Sequence, residues 1–149
     1  LYLDVMGCPP RVESFSVCRR RAVVFSSPWG PMSVLSIEDL AEIKKTRRLG
    51  DYDVITALAR IRLEREECPS PAILRWAVRN TFRPEGLDWI RSRFPKASMP
   101  RGAAATHLGL ARRLAGLQKS DACYWRPILA EIRRMWQAGR LMPEGERVG

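Results

Sequence analysis

Apolar residues recur at helical spacing through most of the chain after residue 31, separated by short polar or proline-containing stretches. The first predicted helix begins at Ser36, which opens a Ser-x-x-Asp capping pattern completed by Asp39. Basic residues crowd its last turn, and Gly50 is expected to end it. The residues predicted to face inward are Ile37, Leu40, Ala41 and Ile43.

The next helix is predicted over residues 54–67, with Asp51 or Asp53 as its N-cap. Two sets of apolar residues share its inner side, a main stripe and a set that broadens it. The main stripe is Val54, Leu58 and Ile61, and the broadening set is Ile55, Ala59 and Leu63.

Two further helices are predicted to start at prolines. Ser70 is expected to cap a helix that has Pro71 in its first turn and runs to about Thr81. Pro84 opens another helix, which ends before Pro95. Proline suits the first helical position because the N–H it lacks would have no partner within the helix.

The C-terminal stretch, residues 100–142, predicts two amphipathic helices with a strongly basic face. The first runs to about Ala115, residues 116–121 form a turn, and the second is clearest over residues 127–138. Pro127 is placed in the first turn of the second helix, because an interior proline costs about 3 kcal/mol. Gly139 is expected to end this helix. The apolar positions of the pair are Ala104, His107, Leu108, Ala111, Leu114, Ala115, Ile128, Leu129, Ile132, Met135 and Trp136.

Residues 110–125, LARRLAGLQKSDACYW, are similar to a helix-turn-helix motif. Ala111 stands four residues before the small Ala115, and a polar turn leads into the second helix. Three features depart from the motif: an extra residue at Gly116, Asp121 at a position that is usually apolar, and Pro127 in the region of the recognition helix. The resemblance covers about a tenth of the chain and implies a DNA-binding arrangement.

Residues 1–31 differ in composition from the rest and are interpreted as an N-terminal arm or extension. Short strands are predicted over residues 12–17 and 22–25, followed by a Pro- and Gly-rich linker. Residues 32–149 are expected to form a single helical domain. The predicted fold is therefore all-α, a small bundle of five or six short helices with a helix-turn-helix-like C-terminal pair and an irregular or short-strand N-terminal arm.

The chain of 149 residues carries a formal net charge of +10, and the charge is unevenly distributed. Residues 68–100 have six basic and two acidic side chains, and residues 101–142 have eight and two. Arginine and lysine on one surface attract phosphates and release their counterions. The C-terminal half therefore predicts a surface that binds a polyanion, DNA or RNA, without catalysis.

Eight residues of the C-terminal pair are the candidates for this surface. Six cations are expected to neutralise phosphates, and two aromatic side chains are expected to stack on bases or wedge between them. The cations are Arg112, Arg113, Lys119, Arg126, Arg133 and Arg134, and the aromatic residues are Tyr124 and Trp125.

Two other classes of function stay open at this point. A protein-interaction adaptor or inhibitor would use tryptophans as anchors, since tryptophan and arginine dominate binding hot spots. A small hydrolase or nuclease would need a base, for which His107 with Arg112 and Tyr124 is the most obvious set. The anchor tryptophans are Trp76, Trp89, Trp125 and Trp136.

The remaining composition indicates no cofactor, no metal and no membrane span. The four cysteines show no C-x-x-C spacing, and one histidine with scattered cysteines does not match a zinc site. Charged residues interrupt every apolar run well before the ~18 residues that a span requires. A cytoplasmic location is expected.

Overall fold

A computed structural model describes residues 11–95 and 107–140. Within these residues the chain is mostly helical, with one short antiparallel hairpin near the N-terminus. The mostly helical class of the prediction is therefore confirmed. In chain order the elements are α1 (Phe15–Arg21), β1 (Val23–Ser27), β2 (Gly30–Val34), α2 (Ile37–Ile43), α3 (Leu49–Glu64), α4 (Pro71–Arg79), α5 (Pro84–Arg93) and α6 (His107–Gln137).

The strand predicted over residues 12–17 is wrong, because α1 begins at Phe15 and residues 12–14 are not in a strand. The Ser14 carbonyl accepts from the N–H groups of Val17 and Cys18, which starts the helix. Three arginines in the last turn suit the negative helix end, and Cys18 is buried. The helix is therefore favoured by both its end charges and its single buried side chain.

The second predicted strand is confirmed as part of β1, but the predicted linker is a hairpin turn. Ser27 Oγ donates to the Gly30 carbonyl at 2.7 Å and accepts from the Trp29 N–H at 3.2 Å. Gly30 has φ +105°, a conformation that favours glycine. β2 runs across the proposed boundary between residues 31 and 32. The division into an arm and a domain stays a prediction.

An ion pair joins α1 to α2. The guanidinium of Arg21 donates to both carboxylate oxygens of Asp39, Nε at 3.1 Å and Nη2 at 2.6 Å. Asp39 also accepts from Ser36 Oγ at 2.9 Å, and its backbone N–H donates to the same hydroxyl. The predicted N-cap at Ser36 is thus confirmed, and it also orients the carboxylate that holds the N-terminal segment.

The turn between α2 and α3 falls earlier than predicted, so the expected helix stop at Gly50 is wrong. α2 ends at Ile43, and Gly50 is the second residue of α3. Thr46 Oγ1 donates to Asp51 at 2.6 Å, and the Tyr52 hydroxyl donates to the Thr46 carbonyl at 2.7 Å. These bonds fix the turn over residues 44–48.

α3 buries the set of residues that was expected only to broaden its stripe. Ile55, Ala59 and Leu63 are buried together with Tyr52, whereas Val54 and Ile61 are exposed. Both sets fit helical spacing, so periodicity alone does not choose between them. Packing decides, because one core cluster combines residues of α3, α4, α5 and α6: Ala59, Leu63, Ala77, Val78, Leu87, Ile90 and Leu110.

α4 and α5 confirm the predicted starts. Ser70 Oγ accepts from the Ile73 N–H at 3.4 Å, and Pro71 is the first residue of α4. Pro84 is the first residue of α5, which ends at Arg93 beside Phe94. These helices pack against α3 and close the core on one side.

Residues 107–137 form one continuous helix, so the predicted helix-turn-helix pair is not confirmed. Gly116 does not adopt positive φ, and residues 116–121 are helical. Asp121, the last residue of the predicted turn, is buried and accepts from the Arg47 N–H at 3.1 Å. Pro127 lies inside the helix rather than at its start. Residues 100–106 of the predicted first helix, and the tail 141–149, lie outside the described residues.

The predicted stop at Gly139 is confirmed. Gly139 has φ +65°, and its N–H donates to the Trp136 carbonyl at 3.0 Å. The Arg140 N–H donates to the Met135 carbonyl at 2.9 Å. This pair of bonds is the Schellman motif that commonly ends a helix at glycine.

Candidate nucleic-acid interface

One side of α6 packs on the rest of the protein. Leu110 and Asp121 are buried, and Leu114 and Leu117 pack against a second core cluster formed by Ala41, Tyr52, Ile55 and Phe82. Spacings of four, three and four residues place the four α6 residues along one side of a helix. Leu108, Ala111 and Ala115, which were also expected inward, are exposed.

The opposite side of α6 carries four cations at equal spacing. Residues 112, 119, 126 and 133 are seven apart, so each lies about two turns after the last with a drift of ~20° per step. At about 100° per residue they lie roughly 120–180° around the axis from Asp121. All four are exposed. We call this set, Arg112, Lys119, Arg126 and Arg133, the basic stripe; it extends about 32 Å along the helix.

The charges of the basic stripe are not neutralised within the described residues. None of the four forms an ion pair there. α6 has two acidic side chains, of which Asp121 is buried on the other side and Glu131 pairs with Arg134. Arg134 therefore lies next to the stripe with its charge already partnered.

Arg113 packs against the segment between α4 and α5 instead of facing solvent. Its guanidinium carbon lies 4.4 Å from the centre of the Phe82 ring, and Nη2 donates to the Thr81 carbonyl. Burial lowers the pKa of Arg113 from its ordinary value. The neighbouring Arg112 is exposed. Two consecutive arginines of α6 therefore differ, since Arg112 faces solvent and Arg113 is packed.

Tyr124 and Trp125 do not lie beside the basic stripe. Their rings contact each other edge to face, with centroids 5.4 Å apart. Helical geometry places them on the side that continues the core-facing residues, about 100° or more from Arg126. The two rings and the cations of the stripe therefore do not form one surface.

The structure does not bring together the residues considered for a nuclease. Arg112 and Tyr124 are twelve residues apart, about 18 Å along α6. His107 is the first residue of the helix, and its side chain lies outside the described part of the structure. Among the residues described, no group of three His, Cys, Asp or Glu side chains is placed to hold a metal ion.

Two further cations lie beside α6 that the sequence did not single out. Arg47 donates its N–H to Asp121, and its carbonyl accepts from Gln118 Nε2 at 2.8 Å. The side chains of Arg47 and Arg48 are exposed. One feature of the sequence could have indicated this contact. Asp121 is a polar residue at an apolar position, and a buried carboxylate needs a hydrogen-bond partner from elsewhere in the chain.

The tryptophans divide into packed and exposed residues. Trp76 contacts both core clusters, and Trp89 lies under the guanidinium of Arg60 at 4.8 Å. Trp136 is 53% exposed. The large apolar residues exposed on the C-terminal part of α6 are Tyr124, Leu129, Ile132 and Trp136.

Comparison with known proteins gave no match to a family model, to a curated protein or to a solved structure. No helix within residues 11–95 or 107–140 has the length and hydropathy needed to cross a membrane.

Proposed function

We propose that this protein binds nucleic acid, without catalysis, through the basic stripe of α6. The observation that carries the proposal is the set of four exposed cations at seven-residue spacing on the outward side of a 31-residue helix, which have no ion-pair partner among the residues that the structure describes. The proposed interface is one side of a single long helix and does not need a second, recognition helix.

A straight row of cations suits a polyanion because each phosphate contact releases condensed counterions. Four contacts to a duplex would give a log–log salt slope of about −3.6. Raising the salt from 50 to 200 mM would then weaken binding roughly 150-fold. Arg47 is joined to Asp121 on the opposite side of α6 from the stripe, so Arg47 and Arg48 are not counted among these contacts.

The test is fluorescence anisotropy of labelled duplex DNA, single-stranded DNA and RNA, titrated with the full chain at several salt concentrations. The stripe variant is Arg126→Gln with Arg133→Gln. Its matched control is Arg75→Gln with Arg79→Gln, which removes the same charge from exposed positions of α4. We expect the stripe variant to lower the magnitude of the salt slope by about 1.8 and the control to leave it unchanged.

Two outcomes would overturn the proposal. Absence of binding by the wild type at low salt would show that the stripe is ordinary solvated charge. Equal losses in the stripe variant and its control would show attraction by net charge, with no role for the stripe. Circular dichroism of each variant checks that α6 is retained.

A second candidate function is favoured by the exposed apolar residues near the end of α6. Aromatic anchors are typical of protein-interaction hot spots, and Trp136 is the most exposed large apolar residue of this region. Under this alternative, a protein captured from nuclease-treated lysate would be lost on Trp136→Ala, while nucleic-acid binding would stay unchanged. A cytoplasmic location is part of either proposal, since exposed thiols such as Cys68 and Cys123 stay reduced there.

A further inference from the structure

We infer that the nucleic acid is B-form duplex DNA and that the C-terminal half of α6, residues 122–137, enters its major groove, an inference that rests on the proposed function. Two features of this half of the helix carry the inference: an outward side exposed along its length, and small residues between the cations.

Most of the C-terminal half of α6 is exposed, with Trp125, Ile128 and Met135 half-buried on the core-facing side. No residue from 122 to 137 is buried, whereas the preceding half of the helix includes Leu110 and Asp121 in the core. An α-helix with its side chains is about 10–12 Å across, and the major groove of B-DNA is ~12 Å wide. Within the described residues, the outward side of this half of α6 is exposed and could enter such a groove.

Small residues fill the outward side between the cations. Within residues 122–137 they are Ala122, Cys123 and Ala130, all of them exposed. The helix surface can therefore approach the groove closely while Arg126 and Arg133 reach to the phosphates at its edges. Binding of this kind depends on groove width and phosphate position more than on base sequence.

Duplex RNA and single strands fit this surface less well. The major groove of A-form RNA is too deep and narrow for a helix to enter. Single-stranded binding gains ~1–3 kcal/mol for each base stacked on an aromatic ring, but Tyr124 and Trp125 lie on the other side of α6. Of the aromatic residues of α6, Trp136 alone lies next to a stripe cation, three residues after Arg133. Duplex RNA would therefore meet the stripe through phosphates alone, and a single strand through phosphates and one stacked base.

The test compares three probes of equal length, a duplex DNA, its single strand and the matching duplex RNA, at one salt concentration with the full chain. We expect duplex DNA to bind at least tenfold more tightly than either of the others. On the duplex, bound protein should protect guanine N7, which lies in the major groove, from dimethyl sulfate.

A steric variant tests groove entry without changing charge. Ala122→Leu with Ala130→Leu places bulk between the cations, and Ala111→Leu is its control at an exposed position in the other half of the helix. The double variant should lose at least tenfold in duplex DNA affinity and little in single-strand affinity, while the control should match the wild type.

The outcomes separate this inference from the proposed function. Absence of binding to all three probes removes the proposed function and the inference with it. Equal affinities for the three probes, or no protection of guanine N7, would leave the basic stripe as a general phosphate-binding surface and overturn groove entry alone.

Discussion

Replacing Gly86 by alanine tests how closely α3 and α5 approach one another. Gly86 lies in the first turn of α5. A Cβ atom there would lie 2.7 Å from Thr81 Cγ2 and 3.1 Å from Thr56 Cγ2. Carbon atoms pack best at about 3.5–4.0 Å, so at least one threonine methyl group would have to move.

Neither threonine can rotate its methyl group away without cost. Thr81 Oγ1 donates to the Ala77 carbonyl at 2.8 Å. Thr56 Oγ1 donates to the Tyr52 carbonyl at 2.8 Å and accepts from the Phe82 N–H at 3.0 Å. Rotation of either side chain breaks a hydrogen bond that contributes ~1 kcal/mol.

The opposing effect is the higher helix propensity of alanine, which stabilises a helix interior by at most about 1 kcal/mol. Overpacking a filled site costs about 1–3 kcal/mol. We therefore expect Gly86→Ala to lower the free energy of unfolding by about 1–2 kcal/mol. For a chain of this length that corresponds to a fall in Tm of roughly 2–8 °C.

The assay is thermal and urea unfolding followed by circular dichroism, with two matched variants. Gly116→Ala in α6 has nothing within 4 Å of the added Cβ, so it should stabilise the protein by up to ~1 kcal/mol. Thr81→Ser added to Gly86→Ala removes the nearest methyl group, keeps the hydroxyl, and should recover part of the loss. A Gly86→Ala protein as stable as Gly116→Ala would refute the reasoning.

Three further outcomes are expected. Asp121→Ala leaves the Arg47 N–H without its partner and should cost about 1–3 kcal/mol in urea unfolding, a cost that an unchanged midpoint would contradict. Pro127→Ala restores a helix donor for the Cys123 carbonyl and should raise helicity and Tm; a fall in Tm would show that the proline is needed. Burial raises the pKa of Tyr52 above 10.0. Its contribution to stability is therefore present below an unfolded pKa of ~10 and lost as the pH rises through the folded pKa. Alkaline titration of Tyr52→Phe should show a shallower decline than that of the wild type.

Local signals predicted the starts and stops of several helices correctly. Ser36 and Ser70 cap α2 and α4 through hydrogen bonds to N–H groups three residues later. Pro84 opens α5, and Gly139 ends α6. Such features are readable in the sequence because each depends on backbone geometry within a few residues.

Two glycines were misread as the ends of helices. Gly50 and Gly116 resemble helix stops, yet both lie inside helices. The turn before α3 is fixed by bonds of Thr46 with Asp51 and Tyr52, and the middle of α6 is joined to the same turn by the bond from the Arg47 N–H to Asp121. The second of these joins positions 74 residues apart, which no local pattern reports.

The sequence by itself determined the helical class, the excess of positive charge and its concentration in the C-terminal half. It also contained the seven-residue spacing of the basic stripe, although spacing alone does not say which side of a helix faces solvent. Only the tertiary structure decided that Arg112 is exposed while Arg113 packs on Phe82. The physical reason is that burial depends on which apolar residues meet across the core, and helical periodicity allowed more than one choice.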